Sequence, residues 1–421
     1  MKIPDNRIQI VLRNSLNVIL KITLTLLITL LAIELVLQIV YLNLPRAITQ
    51  RMPQFQERYG IQFVTPHGAR EYPANEVVNF QVNQYSGDLF TVSCLSPRDA
   101  KDITPYQVSY TRDAHGFRTP NLESSNADIV IIGDSFTAAE AIVTPYWENL
   151  GYPTLALGLP GSGTLEQKRL LDAFGLEHNP KLIVLAFFGG NDVTDNLIFN
   201  DLQQNNLTFA DTTHQNRNPM EYFVTFHLAL FVKDALMSPP SADCVYPVIA
   251  NTTTPTPIAF FDKMLPMLAF DTDTLSTTEI FQITQQNILD IATTATNNGA
   301  KFILMYIPQK AEIYWNQLDS ETKAHIVDGL EGNPIMSVDD ITMSAIDKGL
   351  TTQRDLLAQL TTDHNLHFLD LTPTLQSSID DNEQSPYFFS DTHWNQLGHD
   401  LARNALIEYI AQLTLDKNSD S

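Results

Sequence analysis

The chain is 421 residues long, with 25 Lys and Arg against 48 Asp and Glu, a formal net charge of −23, and 44% apolar residues. That composition is enough for a sizeable core and excludes a disordered chain, while the acidity excludes a broad nucleic-acid-binding surface, which needs the Lys and Arg that grip phosphate. The two cysteines, Cys94 and Cys244, exclude a disulfide-dense scaffold and a four-cysteine zinc site.

The first element is the run Ile22–Tyr41, twenty residues whose only strongly polar members are Glu34 and Gln38. A helix of that length matches a bilayer core of ~30 Å. Lys2, Arg7, Arg13 and Lys21 precede it with only Asp5 against them, a local charge of +3 that assigns residues 1–21 to the cytoplasm and leaves −26 outside. No small-residue cleavage site follows, so an uncleaved signal anchor in the cytoplasmic membrane is expected, single-pass, with the rest of the chain extracytoplasmic. Glu34 is expected to face a partner helix or a headgroup. With both cysteines then outside, a Cys94–Cys244 disulfide is also expected.

Residues 42–127 show no clear helical period and read as a linker followed by a cap of loops and short strands. From Asp128 the pattern changes to short β-branched runs bounded by turn residues, alternating with amphipathic stretches. Strands are predicted at Ile129–Ile132, Thr154–Leu157, Leu182–Phe187, Phe302–Ile307 and His367–Leu371, and helices at about Leu165–Glu177, Thr278–Asn297, Asp319–Leu330 and Thr352–Asp363. A βαβ rhythm of this kind implies a parallel sheet covered by helices on both faces, a three-layer doubly wound domain over residues 128–413. The Asn-, Thr- and Pro-rich stretch at about 197–275 interrupts the rhythm and reads as an insertion near the mouth of a site, and residues 414–421 form a tail.

The chemistry-bearing residues follow the strands. The first strand ends in Gly133-Asp134-Ser135-Phe136-Thr137, which puts a serine at a strand-to-helix turn on the carboxyl edge of the sheet, where open α/β folds place their ligands. Alone, Asp-Ser after a strand is an ordinary helix cap. It is not the G-x-S-x-G elbow, because Thr137 stands at the last glycine position. The second strand runs into Gly158-Leu-Pro-Gly161-Ser-Gly163, where bare backbone N–H groups can approach a ligand. The third ends in Gly189-Gly190-Asn191-Asp192, where Asn191 can aim an amide N–H at the same point. Near the C-terminus comes Ser390-Asp391-Thr392-His393-Trp394, in which Asp391 is the carboxylate nearest to an imidazole that could act as base. His399 is assigned to packing or capping. The histidines lack metal-ligand spacing, so neither a metal nor a cofactor is expected.

Together these blocks resemble the SGNH (GDSL-like) hydrolase family, whose four named residues match Ser135, Gly161, Asn191 and His393 in the family's order, with Gly158 and Gly163 as alternatives to Gly161. The resemblance covers roughly Asp128 to Leu413 and implies a flavodoxin-like parallel sheet. It also implies Ser135 as nucleophile, His393 as base, and an oxyanion hole made by the Ser135 and Gly161 N–H groups and the Asn191 side chain. The family usually places its aspartate three residues before the histidine. Here that position is Ser390, and Asp391 stands two before, a spacing that resembles the branch including alginate O-acetyltransferases. Asp391 is therefore the expected orienter, with Ser390 and Asp400 as alternatives. A Gly-Phe-Arg element such as His115-Gly-Phe-Arg118 precedes the first strand in many membrane-anchored proteins that this chain looks like. Arg118 is a candidate for an acidic substrate group or for a structural ion pair. Lys310, after the fourth strand, is a candidate to line the cleft or to pair with Glu312 in solvent.

The expected function is a serine esterase acting on O-acyl or O-acetyl esters, with an acylated glycan or another small ester as substrate and the membrane and envelope proteins as partners. The alternatives are an O-acetyltransferase using the same site and a non-catalytic envelope-binding or assembly protein. A serine-reactive phosphonate separates the last from the other two.

Overall fold

The computed structural model describes residues 5–44, 46–49, 52–54, 69, 71–82, 106–119, 126–204, 218–237, 258, 260–261, 263–330, 335–382, 385–388 and 391–415. Cys94, Cys244 and Ser390 lie outside the described residues. The first described element is a helix over Asp5–Val40; its stretch Ser15–Val40 reaches a mean hydropathy of 2.3 over 18 residues and is long and apolar enough to cross a membrane. Within Ser15–Val40 nearly all side chains are exposed. Tyr41, expected at the end of the span, falls in a 3-10 turn instead.

The cap region contributes two strands, β1 (Val77–Val82) and β2 (Tyr106–Thr111), paired antiparallel. The main sheet follows, with β3 (Ile129–Gly133), β4 (Thr154–Gly158), β5 (Leu182–Phe188), β6 (Lys301–Ile307) and β7 (His367–Asp370). All its pairs are parallel, and the spatial order is β4-β3-β5-β6-β7. Counted within this sheet alone the order is 2-1-3-4-5, the flavodoxin-like doubly wound arrangement.

Side-chain alternation explains the three layers. Ile129 and Ile131, Val184 and Phe188, and Ile303 and Met305 enter one core, with the Gln396–Leu415 and Thr372–Asn382 helices over that face. Val130 and Ile132, Ile183 and Leu185, and Phe302 and Leu304 enter the other, under the Glu279–Asn297, Thr352–Asp363 and Thr164–Leu170 helices. A strand buried on both faces reads as a continuous apolar run, and each such Val, Ile or Leu is worth ~1.5–3 kcal/mol of transfer free energy.

The interruption between β5 and β6 is less irregular than its sequence suggests. The helix Asp192–Gln204 carries the chain past residue 197, and a second, strongly apolar helix covers Val224–Met237. The Thr- and Pro-rich cluster Asn251-Thr-Thr-Thr-Pro-Thr-Pro257 lies outside the described residues.

Candidate active site

Asp134 follows β3 and caps a one-turn helix, Ser135–Ala138, by accepting a hydrogen bond from Phe136 N at 2.9 Å. That cap turns the chain off the sheet at Ser135 and leaves the serine half-buried at the carboxyl edge. The turn is tight because β4 comes close: a Cβ on Gly158 would lie 2.1 Å from Ala138 N, so only glycine fits there. The helix stops at Ala139, whose φ of 48° is unusual for a residue with a Cβ.

The segment after the helix is pinned from several sides. Trp147 Nε1 donates to Thr137 O at 2.7 Å, and the Thr137 and Tyr146 hydroxyls are 2.9 Å apart. Gln396 bonds Thr144 through both its oxygen and its nitrogen, at 3.1 and 2.8 Å. His399 Nδ1 accepts from Tyr146 N at 3.2 Å. Burial, then the nearby positive charge of Arg118, His393 and Arg403, holds the His399 imidazole well below its ordinary pKa, so it packs as a neutral ring.

Ser135 Oγ lies 2.7 Å from His393 Nε2, and His393 Nδ1 lies 2.6 Å from Asp391 Oδ1. The same Asp391 oxygen accepts the backbone N–H of His393 at 2.8 Å. Asp134 Oδ2 also lies within reach of the serine, but at 3.3 Å it is the weaker acceptor. The His393 side chain is 24% exposed, so the ring reaches the surface while its carboxylate partner is buried. Phe136 packs against the imidazole at 5.0 Å and against Trp394 at 4.9 Å.

The loop carrying His393 is itself braced. Tyr387 and Trp394 form an antiparallel bridge, Phe388 N donates to His393 O at 3.1 Å, and Asn395 Nδ2 bonds the Ser385 and Tyr387 carbonyls. Tyr387 Oη donates to Pro308 O at 2.7 Å, and Lys310 Nζ donates to Phe388 O at 2.8 Å. Lys310 is thus a buried tie between the end of β6 and the histidine loop, with no solvated face. Glu312 instead accepts from Tyr306 Oη and Gln309 N, and burial pushes its carboxyl up to about 8.

Arg118 is buried as well. Its guanidinium donates to Ala139 O, Ile142 O and Val143 O at 2.6, 2.7 and 3.1 Å, lies 3.9 Å from Glu148, and stacks on Tyr110 at 4.4 Å. That is a structural role, holding the segment behind Ser135, and it leaves no open guanidinium for a substrate acid.

Gly161 and Asn191 are placed by strand order: β4 and β5 flank β3, with Gly133 in register with Gly158 on one side and Ala186 on the other. Ser162 N donates to Leu159 O at 3.2 Å, closing a turn with Pro160 and Gly161 at its centre. Gly161 has φ +65°, the left-handed value that a Pro-Gly type II turn requires. The other two glycines have packing reasons: Gly158 beside the serine helix, and Gly163 against Asn196 Oδ1, 2.4 Å from its would-be Cβ. Asn191 Nδ2 donates to Asp195 Oδ2 at 2.7 Å, one helical turn on. That carboxylate selects the nitrogen end of the amide and takes one of its two N–H groups.

Beneath these residues lie two fully buried carboxyls. Burial raises Asp134 to about 6, opposed by the Phe136 N–H and by His393. Asp192, which accepts from Phe188 N and Gln167 Nε2, is raised well above its ordinary value by burial and then by Asp134 and Asp195. Asp400, an alternative orienter by sequence, is taken up by Arg403 at 2.7 Å and Gln396 at 3.1 Å. Sequence reasoning missed Asp195 and the brace from Tyr387 and Lys310. An Asp four residues after Asn191 at a helix start was the available signal for the first; the second had none, because it joins segments 78 residues apart.

No protein-family model matches the chain, and no curated protein sequence matches it. Among solved structures it is similar to a GDSL-like lipase from Bacteroides thetaiotaomicron, at 13% identity over 68% of this chain and 88% of that one, with a TM-score of 0.32. It is also similar to a lipase/acylhydrolase from Enterococcus faecalis, at 14% identity over 67% and 94%, with a TM-score of 0.30. A third is an acetyl xylan esterase, at 11% identity over 66% and 98%, with a TM-score of 0.32.

Proposed function

We propose that this chain is a serine esterase with its α/β domain outside the cytoplasmic membrane, anchored through the Ser15–Val40 helix. The observation that carries the reading is the unbroken hydrogen-bonded line from Ser135 Oγ through His393 to Asp391, at 2.7 and 2.6 Å.

In that reading Asp391, as an acceptor-only carboxylate, holds the proton of His393 on Nδ1 and leaves Nε2 as the base. Nε2 takes the Ser135 proton as Oγ attacks the ester carbonyl. The resulting oxyanion meets the Ser135 and Gly161 N–H groups and the remaining N–H of Asn191, each such donor being worth ~2.7–4 kcal/mol in the barrier. The C–O bond to the alcohol then breaks, and the imidazolium returns the proton to the departing oxygen. Water, deprotonated by the same nitrogen, attacks the acyl carbon; the bond to Ser135 Oγ breaks, the imidazolium returns its proton to Oγ, and the carboxylic acid departs.

The net charge of −23 disfavours anionic substrates, so the ester is assigned to a neutral acylated glycan or a comparable small molecule. The test is hydrolysis of p-nitrophenyl acetate by the detergent-solubilised full chain: Ser135→Ala and His393→Ala are each expected to lose at least about a thousandfold in kcat. Full activity in Ser135→Ala would overturn the reading.

A further inference from the structure

Glu34 sits inside the apolar helix Ser15–Val40, yet it is buried. Its carboxylate accepts hydrogen bonds from Val224 N at 2.8 Å, Thr225 N at 2.9 Å and Thr225 Oγ1 at 2.7 Å. These are the first residues of the Val224–Met237 helix, whose opening N–H groups have no partner within the helix itself. One helical turn further along the first helix, Gln38 Nε2 donates to Glu34 Oε1 at 2.7 Å and to Tyr222 O at 2.6 Å. Gln54 Nε2 adds a bond to the same carbonyl at 3.0 Å. Glu34 and Gln38, the two strongly polar residues of Ile22–Tyr41, are therefore both spent on one junction, and Leu37, Tyr41 and Leu44 pack with Val224 and Met52 around it.

The depth of that junction follows from helix geometry. Glu34 precedes Val40 by six residues, so the N-terminus it caps lies ~9 Å of helix rise inside the end of the apolar segment. What enters at that depth is itself apolar: Val224–Lys233 is a short apolar helix, led by Met220, Tyr222 and Phe223 and carrying Val232, and these four side chains are 37–48% exposed. Exposed apolar side chains that continue from a membrane span are a lipid-facing surface, and aromatic residues such as Tyr222 and Phe223 suit its edge.

We infer that the segment Pro219–Lys233 is a second membrane element, seated against the span at Glu34 and Gln38, with its apolar side chains in the outer boundary of the lipid. The inference rests on the reading of Ser15–Val40 as a membrane span. Two points of contact hold the domain in one orientation on the bilayer, whereas a single helix joined by a linker leaves it free to turn.

The test uses the full chain reconstituted in phosphatidylethanolamine/phosphatidylglycerol vesicles, with p-benzoylphenylalanine replacing Val232, Phe223 or, within the span, Leu27. After irradiation, mass spectrometry is expected to find lipid adducts at all three positions. Lipid adducts at Leu27 with none at Val232 and Phe223 overturn the inference and leave the span intact. Cross-links from Val232 or Phe223 to a second copy of the chain, without lipid adducts, overturn it in favour of an interface between copies. Absence of lipid adducts at Leu27 removes the span reading and the inference with it.

Discussion

Asp391 Oδ1 accepts two hydrogen bonds from His393, one from its backbone N–H at 2.8 Å and one from its ring Nδ1 at 2.6 Å. An aspartate that bonds the N–H two residues on is an Asx turn, and here the turn itself aims the imidazole. The spacing of two residues is thus a working geometry, because one oxygen fixes both the loop and the ring. Asp391→Asn keeps a carbonyl acceptor and loses the charge that stabilises the imidazolium, so kcat is expected to fall about 10³–10⁴-fold with KM little changed. Asp391→Glu adds a methylene and should fail comparably, since the longer arm cannot make both bonds. Steady-state kinetics on p-nitrophenyl acetate checks both, and a loss below tenfold in either contradicts this assignment.

Asn191 is set by Asp195 at 2.7 Å, which separates donating from positioning. Asn191→Ala removes the proposed oxyanion donor and should slow turnover roughly 100–1000-fold. Asp195→Ala leaves the donor in place but frees its amide to rotate, and a loss of about ten- to a hundredfold in kcat is expected. The double variant should be no slower than Asn191→Ala alone, because the two residues act through one amide. Additive losses would contradict the coupling.

Arg118 distinguishes a structural from a substrate-binding cation. With three carbonyl acceptors and little exposure, Arg118→Met is expected to destabilise the chain by about 2–4 kcal/mol, read as a lower midpoint of thermal unfolding. The ratio of kcat/KM for a neutral ester to that for one bearing a carboxylate should not change. A selective loss on the acidic ester would return Arg118 to the substrate.

Glu312 gives a pH prediction. Its ordinary pKa of 4.5 is raised to about 8 in the fold by burial. Below about 4.5 both folded and unfolded chains hold the proton; between there and about 8 the unfolded chain releases it while the folded one keeps it. Stability is therefore expected to fall as pH rises through that window. Glu312→Gln retains a neutral acceptor for Tyr306 and Gln309 and should flatten this part of the curve. Thermal unfolding from pH 5 to 8 in detergent checks it, and parallel curves for the two proteins would contradict it.

The sheet is legible in the sequence because strands buried on both faces are uninterrupted apolar runs; the expected Ile129–Ile132 and Phe302–Ile307 differ from β3 and β6 by one residue each. The blocks holding Ser135, Gly161 and Asn191 are legible for a related reason, since each follows a strand and the parallel topology gathers those ends on one edge; His393 comes later, in the loop between the Thr372–Asn382 and Gln396–Leu415 helices. What sequence could not supply is partnership across distance. Lys310 and Arg118 look like open cations until the fold has them donate hydrogen bonds to backbone carbonyls. Glu34 looks misplaced in an apolar run until a helix 190 residues later places its N-terminus on it. The Val224–Met237 helix is obscured in the same way, because it sits between stretches rich in turn residues and has no polar face to give it a period.

The most direct test of the proposed nucleophile is labelling of the full-length chain with a fluorophosphonate, followed by peptide mass spectrometry. A serine activated by His393 is predicted to give a single adduct on the peptide containing Ser135, absent from Ser135→Ala and strongly slowed in His393→Ala. No adduct on the wild-type chain, or equal labelling of Ser135→Ala, would contradict it.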